Sequence, residues 1–313
     1  MSNPEASMTH RGRTGYVPVP GGEVFVNVVN EEIPRSPLLI VPGGPGFPED
    51  FEPLRALDRP IVTYHQLGSG YSRFEGQEDP SHNHLWTLQR SVDELHAVVE
   101  GVGLGRVNLL GYSYGGMVVT EALLQQYRKN RLPAYVQSVI FASTPFSEQV
   151  VTDDLREMLG QDFVERITQY ENSGNTQSQV YQDAIREFTQ KHILGTGFDP
   201  DAHESLRFSE ATFGENVALA MVGHSEINPT GALKGYDNLS ALSMIRGIPI
   251  LLTCGRDDEV TPRSMEDAKR HLPHASLVVF EESAHFAQWT EGEKYRSTIE
   301  TFLSGVDVIG TSS

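Results

Sequence analysis

Short apolar runs alternate with amphipathic stretches over the first half of the chain. The runs are rich in Val, Ile and Leu, which is typical of strands buried inside a sheet. They cover residues 24–29, 37–41, 61–64, 107–110 and 136–142. Two stretches between them, at 85–102 and 117–127, repeat apolar residues at helical spacing. Because strands that alternate with helices pair in parallel, the pattern predicts an α/β fold with a mostly parallel, doubly wound sheet.

This alternation stops near residue 147 and returns about ninety residues later. Residues 147–240 are rich in Gln, Glu and Asn, with helix-like patterns at 154–170 and 180–192. Strand-like and helix-like patterns resume at 248–253, 277–280 and 293–303. We therefore expect a mainly helical cap inserted into an α/β core. The expected boundaries are a loose leader at 1–15, a core formed by 16–146 and 241–313, and the cap at 147–240.

Composition and charge remove several classes of protein. With 24 basic and 42 acidic side chains the formal net charge is −18, which argues against nucleic-acid binding, since that needs clustered Lys and Arg. No apolar stretch approaches the ~18 residues of a membrane span. The single cysteine, Cys254, cannot form an internal disulfide, and the first thirty residues lack the apolar core of a signal peptide. We expect a cytoplasmic protein with no membrane and no nucleic-acid partner.

The motif G-Y-S-Y-G at 111–115 stands directly between a predicted strand and a predicted helix. This is the context of a nucleophile elbow, in which flanking glycines permit a sharp turn that exposes the serine oxygen. Ser113 is therefore the candidate nucleophile.

A serine hydroxyl needs a base, and the base needs a carboxylate that fixes its tautomer. In this fold the chain order is serine, acid, histidine. His285 follows the last predicted strand by five residues, where a loop at the carboxyl edge of the sheet is expected. Asp257 and Asp258 both follow the strand at 248–253, and spacing alone does not choose between them.

The glycine-rich loop P-G-G-P-G at 42–46 follows the first buried strand. Such a loop can present a backbone N–H to a developing oxyanion, paired with the N–H of the residue after the nucleophile. Gly44 and Tyr114 are the candidate donors. A phosphate-binding role is disfavoured because the lysine and hydroxyl residue of a P-loop are missing.

Taken together, these motifs resemble the proline iminopeptidase family of α/β-hydrolases from about residue 22 to residue 303. The shared segments are G-G-P-G at 43–46, Q-L-G-S-G-Y-S at 66–72, L-W-T at 85–87, G-Y-S-Y-G-G-M at 111–117, G-R-D-D-E-V-T-P at 255–262 and S-A-H at 283–285. The resemblance implies that Asp258 is the triad acid. It also implies that Glu226, in the cap segment at 221–227, and Glu259 hold the free α-amino group of a substrate.

Three positions depart from the family pattern. Pro42 stands where the family usually has His, His65 where it usually has Asp, and Tyr114 where many members have Trp. We expect Pro42 and His65 to alter substrate choice without touching the triad, with His65 changing a charge near the site.

The sequence therefore predicts a capped serine aminopeptidase that acts on small peptides or amino-acid amides with a free amino group. Ser113, His285 and Asp258 would form the triad, and no metal or organic cofactor is expected. The alternatives are an esterase, lactonase or amidase of a specialised pathway on the same triad, and a hydrolase fold that only binds a ligand. The sequence leaves the oligomeric state open.

Overall fold

A computed structural model describes residues 12–74, 85–131 and 134–310 of the chain. The predicted loose leader lies outside the described residues as far as residue 11, but for residues 12–15 the prediction is wrong. They belong to strand β1, Gly12–Val19, which pairs antiparallel with strand β2, Gly22–Val29. All four residues are exposed. The pairing therefore rests on backbone hydrogen bonds, which leave no apolar pattern in the sequence.

The described residues form nine strands in one sheet. After β1 and β2 these are β3 Leu38–Val41, β4 Ile61–Tyr64, β5 Arg73–Phe74, β6 Val107–Tyr112, β7 Val136–Ala142, β8 Ile250–Gly255 and β9 Ser276–Phe280. Their order is β1-β2-β4-β3-β6-β7-β8-β9, with β5 against β2. In this spatial order every pairing between β4 and β9 is parallel, so the predicted mostly parallel sheet is confirmed.

The central strands are apolar on both faces because helices cover the sheet on both sides. Leu39 and Leu109 lie in one apolar core, while their neighbours Ile40 and Leu110 lie in the other. Since successive strand residues point to opposite faces, a strand covered on both sides has to be a continuous apolar run. This arrangement explains the uninterrupted runs in the sequence.

Ten α-helices lie within the described ranges. They are α1 Leu88–Gly101, α2 Tyr114–Arg128, α3 Glu148–Leu159, α4 Gln161–Asn172, α5 Gln179–Phe188, α6 Glu204–Ala211, α7 Glu215–Met221, α8 Pro262–His271, α9 Ala287–Thr290 and α10 Gly292–Gly310. Across these ranges no helix combines the length and apolarity that a membrane crossing requires.

The predicted helices differ from the observed ones in their bounds, and two of these differences have a local cause. The helix expected over 85–102 begins at Leu88, because the Thr87 side chain accepts a hydrogen bond from the Arg90 N–H at 3.2 Å and caps it. The single helix expected over 154–170 is wrong. The chain breaks at Gly160, whose φ of +84° is unfavourable for other residues, and α3 and α4 lie on either side of it.

Helices α3 to α7 lie between β7 and β8, in what we call the inserted segment, residues 147–240. Helices α3, α4 and α5 share a separate apolar cluster that includes Leu155, Ile167 and Phe188. An isolated antiparallel bridge joins Ser147 to Asp237, so the segment leaves and rejoins the core at one place. These features support our proposal that the inserted segment is a cap.

Candidate active site

Ser113 occupies the turn between β6 and α2, where the backbone is held in an unusual conformation. Its φ is +53°, a region that costs a non-glycine residue of order 1–3 kcal/mol. The Ser113 N–H donates to the Ala142 carbonyl at 2.7 Å, which ties the turn to β7. A Cβ on Gly115 would overlap the Val41 carbonyl, so only glycine fits at that position. The turn therefore depends on its glycines in the way that the motif predicts.

The structure brings Asp258 and His285 together. The His285 Nδ1 lies 2.7 Å from Asp258 Oδ1, and both side chains are buried. Asp258 Oδ1 also accepts from the Val260 N–H at 2.9 Å, and Oδ2 accepts from the Ser143 hydroxyl at 2.6 Å and the Gly255 N–H at 3.3 Å. These donors hold the carboxylate in one orientation.

The neighbouring carboxylate, Asp257, is exposed, whereas Asp258 is 1% exposed. The geometry therefore selects Asp258 as the partner of His285, the choice that spacing alone left open.

Ser113 lines two neighbouring cavities. The larger, of about 530 Å³, is lined by Ser113, His285 and Gly44 among others. The smaller, of about 80 Å³, is lined by Ser113, Gly44 and Tyr114 among others. Glu226 and Glu259 lie in the walls of both. The structure thus gathers the candidate residues of the predicted site around the same space, except Asp258, which lines neither cavity and contacts His285 instead.

The glycine-rich loop packs directly against the turn that carries Ser113. Gly44 has a φ of +102°, and a Cβ there would come within 2.6 Å of the Phe47 nitrogen. The Gly46 N–H donates to the Gln66 side-chain oxygen at 2.6 Å, which fixes the far end of the loop. Gly44 is therefore held at the cavity wall beside Ser113, where the prediction needs an N–H donor.

Glu226 and Glu259 form an acidic pair beside the candidate nucleophile. Glu259 is 6% exposed, and its Oε2 has no hydrogen-bond partner within the described part of the chain. Burial, followed by the nearby Glu226, raises the pKa of Glu259 to about 8, although His285 opposes the shift. Glu226 is exposed at the walls of the cavities, yet the protein packed around its carboxylate raises its pKa as well. The pair therefore favours a bound positive charge.

His285 is the counterpart of these carboxylates. Burial alone would lower the pKa of His285, but the charge and hydrogen bond of Asp258, together with the charges of Glu259 and Glu226, raise it to about 9.

Among the described lining residues of the two cavities there is no Lys or Arg. The same described ranges contain no group of three or more His, Cys, Asp or Glu side chains placed to hold a metal ion.

Sequence reasoning missed the backbone support of the candidate triad. After α5 the chain continues as a π-helical turn, Thr189–Leu194. The His192 carbonyl accepts hydrogen bonds from the Glu259 and His285 N–H groups, each at 3.3 Å. The Nδ1 atom of the His192 side chain lies 2.8 Å from the Asp257 carbonyl oxygen. The position of His192 in the inserted segment gives no sequence signal of this role. Ser143, which donates to Asp258, does have a sequence signal, because it directly follows β7 as Ser113 directly follows β6.

The structure changes the interpretation of His65. Its side chain is fully buried and stacks on Tyr71, with ring centroids 5.7 Å apart. Its Nδ1 accepts a hydrogen bond from the Tyr71 N–H at 3.0 Å, and Nε2 lies 3.5 Å from Asp50. His65 does not line either cavity as described, and its effect on the charge and on substrate choice stays a prediction.

Comparison with known proteins places the chain among hydrolases. Residues 36–292 match the family model of the α/β-hydrolase fold. The chain is similar to a proline iminopeptidase of Heyndrickxia coagulans, 32% identical over 298 residues, which covers 93% of this chain and 99% of that protein. A proline iminopeptidase of Lactobacillus delbrueckii subsp. lactis is also 32% identical, over 303 residues, covering 93% and 98%. The crystal structure of a proline iminopeptidase from Mycobacterium smegmatis has a TM-score of 0.79 at 26% identity, covering 95% of this chain and all of that one.

Proposed function

Because the chain belongs to the proline iminopeptidase family of α/β-hydrolases and is a serine hydrolase, we propose that it is a serine aminopeptidase. It releases the N-terminal residue from small peptides or amino-acid amides that carry a free amino group. One observation carries the proposal: two carboxylates, Glu226 and Glu259, stand in the walls of both cavities beside Ser113.

The proposed reaction begins with attack by the Ser113 hydroxyl oxygen on the carbonyl carbon. His285 takes the hydroxyl proton at Nε2, while Asp258 holds Nδ1 and stabilises the charged ring. The N–H groups of Gly44 and Tyr114 hold the negative oxygen of the tetrahedral intermediate. His285 then gives its proton to the leaving amine as the C–N bond breaks, and water hydrolyses the acyl-enzyme by the same path in reverse.

The acidic pair gives this chemistry its preference for a free amine. Glu259 is a buried carboxylate with an unpartnered oxygen and is costly to ionise, and a substrate ammonium placed between it and the exposed Glu226 supplies the missing charge. An N-acetylated substrate has no such charge and leaves the glutamates unpaired. The same pair therefore favours free amino termini and disfavours blocked ones.

The two cavities divide the substrate between them. Tyr114, a proposed oxyanion donor, lines the smaller cavity, so the acyl residue and its ammonium are expected there. His285 lines the larger cavity, where it would protonate the leaving amine. A volume of about 530 Å³ lies within the range of sites for drug-sized ligands, whereas about 80 Å³ lies far below it. We therefore expect a small N-terminal residue and a larger leaving group.

A substrate panel tests this function. It compares prolyl and alanyl arylamides that have a free amine with their N-acetylated forms and with a plain acyl ester. We expect kcat/KM to be highest for the free-amine arylamides. Preference for the acetylated amide or the plain ester would contradict the aminopeptidase proposal and favour the esterase or lactonase alternative. Failure of a fluorophosphonate probe to label Ser113 in folded protein would instead favour a fold that only binds a ligand.

A further inference from the structure

Glu171 is a buried carboxylate near the end of α4 that the proposed reaction does not use. It is 7% exposed and accepts three hydrogen bonds from side chains. The Tyr181 hydroxyl donates to Oε1 at 2.8 Å, the Ser225 hydroxyl to the same oxygen at 2.7 Å, and the Asn228 amide to Oε2 at 2.9 Å. Two of these donors come from the loop that carries Glu226, one on each side of it.

That loop, residues 222–231, has no regular secondary structure over the positions around Glu226. Its two ends are joined, because the Val222 carbonyl accepts from the Thr230 N–H at 2.8 Å and the Gly231 N–H at 2.9 Å. Within the loop, Ile227 is 1% exposed and packs in the apolar cluster of the inserted segment. The position of Glu226 therefore depends on how its neighbours are attached to α4 and α5.

Ser225, Ile227 and Asn228 contact the helices of the inserted segment, with Ser225 also at the edge of the larger cavity, while Glu226 lines both cavities. We propose that Glu171 is a positioning residue that holds the 222–231 loop so that the Glu226 carboxylate faces the substrate amine. The inference rests on the proposed function, and it extends that function to a residue of α4 outside the described lining of both cavities.

Glu171 also acts on Glu226 through its charge. The ionisable groups that face Glu226 are Glu171 on α4, Tyr181 on α5, Glu259 after β8 and His285 after β9. Burial and the charge of Glu171 raise the pKa of Glu226, and His285 lowers it. Removal of the Glu171 charge therefore makes Glu226 easier to ionise, so that amine binding persists to lower pH.

The test is Glu171→Gln, with kcat and KM measured from pH 5 to 9 on a free-amine arylamide and on a plain acyl ester. The glutamine has one acceptor oxygen and turns an N–H₂ toward a donor, so part of the attachment is lost. We expect KM for the arylamide to rise about tenfold with little change in kcat, and kinetics on the ester to stay unchanged. We also expect the acidic limb of the arylamide-to-ester ratio of kcat/KM, from which the shared titration of His285 cancels, to move to lower pH.

Two further variants separate attachment from charge. Ser225→Ala removes one donor and keeps the Glu171 charge, so it should raise KM without moving the limb. Glu165→Gln removes an exposed charge from the same helix and should behave as wild type. Ser225→Ala also keeps the proposal testable if Glu171→Gln does not fold.

The outcomes distinguish this inference from the proposed function. A wild-type enzyme without preference for free amines would overturn both. A selective wild type, with folded Glu171→Gln and Ser225→Ala variants that keep its KM and pH limb, would overturn the positioning role alone.

Discussion

Replacing Glu259 by glutamine should stabilise the protein while it weakens amine binding. Glu259 keeps a buried oxygen without a hydrogen-bond partner among the described residues, and the burial that raises its pKa to about 8 opposes its ionisation. In the unfolded chain the same group has an ordinary pKa of 4.5. Glutamine keeps the shape of the side chain and has no charge to bury.

The size of the effect follows from the two pKa values. Between pH 4.5 and about 8 the unfolded chain has released the proton and the folded protein has kept it, so the wild type loses stability as pH rises. The slope for one full proton is about 1.4 kcal/mol per pH unit. Glu259→Gln removes this loss, and its advantage should grow from near zero at pH 4.5 to roughly 3 kcal/mol at pH 7.

The assay is urea unfolding of wild type and variant at several pH values between 4.5 and 8. Glu187→Gln, on the exposed side of α5, controls for the loss of one negative charge from an acidic protein. The reasoning is refuted if the stability difference between wild type and Glu259→Gln stays constant across this range. The same variant should show a higher KM for free-amine arylamides, which would tie the destabilising group to substrate binding.

The remaining predictions concern the triad. Ser113→Ala should reduce turnover to background and leave the thermal unfolding temperature nearly unchanged; retained hydrolysis would contradict the assignment of the nucleophile. For a neutral ester, kcat/KM should rise with pH through about 9, because His285 has to be neutral to accept the serine proton and its pKa is about 9. A midpoint near 6.5 would show that the carboxylates around His285 do not act on it. Ser143→Ala removes a donor to Asp258 and should lower kcat about tenfold with KM unchanged, measured on the preferred arylamide.

Much of the fold could be predicted from the sequence because buried strands leave a local signal. A strand such as β3 sends Leu39 to one core and Ile40 to the other, so every position is apolar. The turn at Ser113 could be predicted equally well, because its glycines are required where a Cβ would overlap nearby backbone. Both signals depend on residues close together in the chain, so they can be recognised from the sequence alone.

The supports of the site carry no such signal. The carbonyl of His192 meets the backbone N–H of His285 across 93 positions of the chain, and any residue can supply a carbonyl. Glu171 resembles many surface glutamates until its three donors are known. The first half of β1 could not be predicted either, because its residues are exposed and its backbone pairing leaves no apolar pattern in the sequence. Long-range polar contacts of this kind depend on the whole fold.

The bridge between Ser147 and Asp237 has a consequence for the engineering of chimeras. It lies between two further backbone bonds, from the Glu148 N–H to the Tyr236 carbonyl at 2.8 Å and from the Asn238 N–H to the Phe146 carbonyl at 2.9 Å. Adjacent ends are what makes a segment exchangeable between related proteins. A transplanted segment would still have to bring carbonyl oxygens to the places of those of His192 and Ile193, which accept from the N–H groups of His285 and Phe286. A graft that lacks the turn Thr189–Leu194 would carry a new pocket but would lose the backbone contacts that position His285.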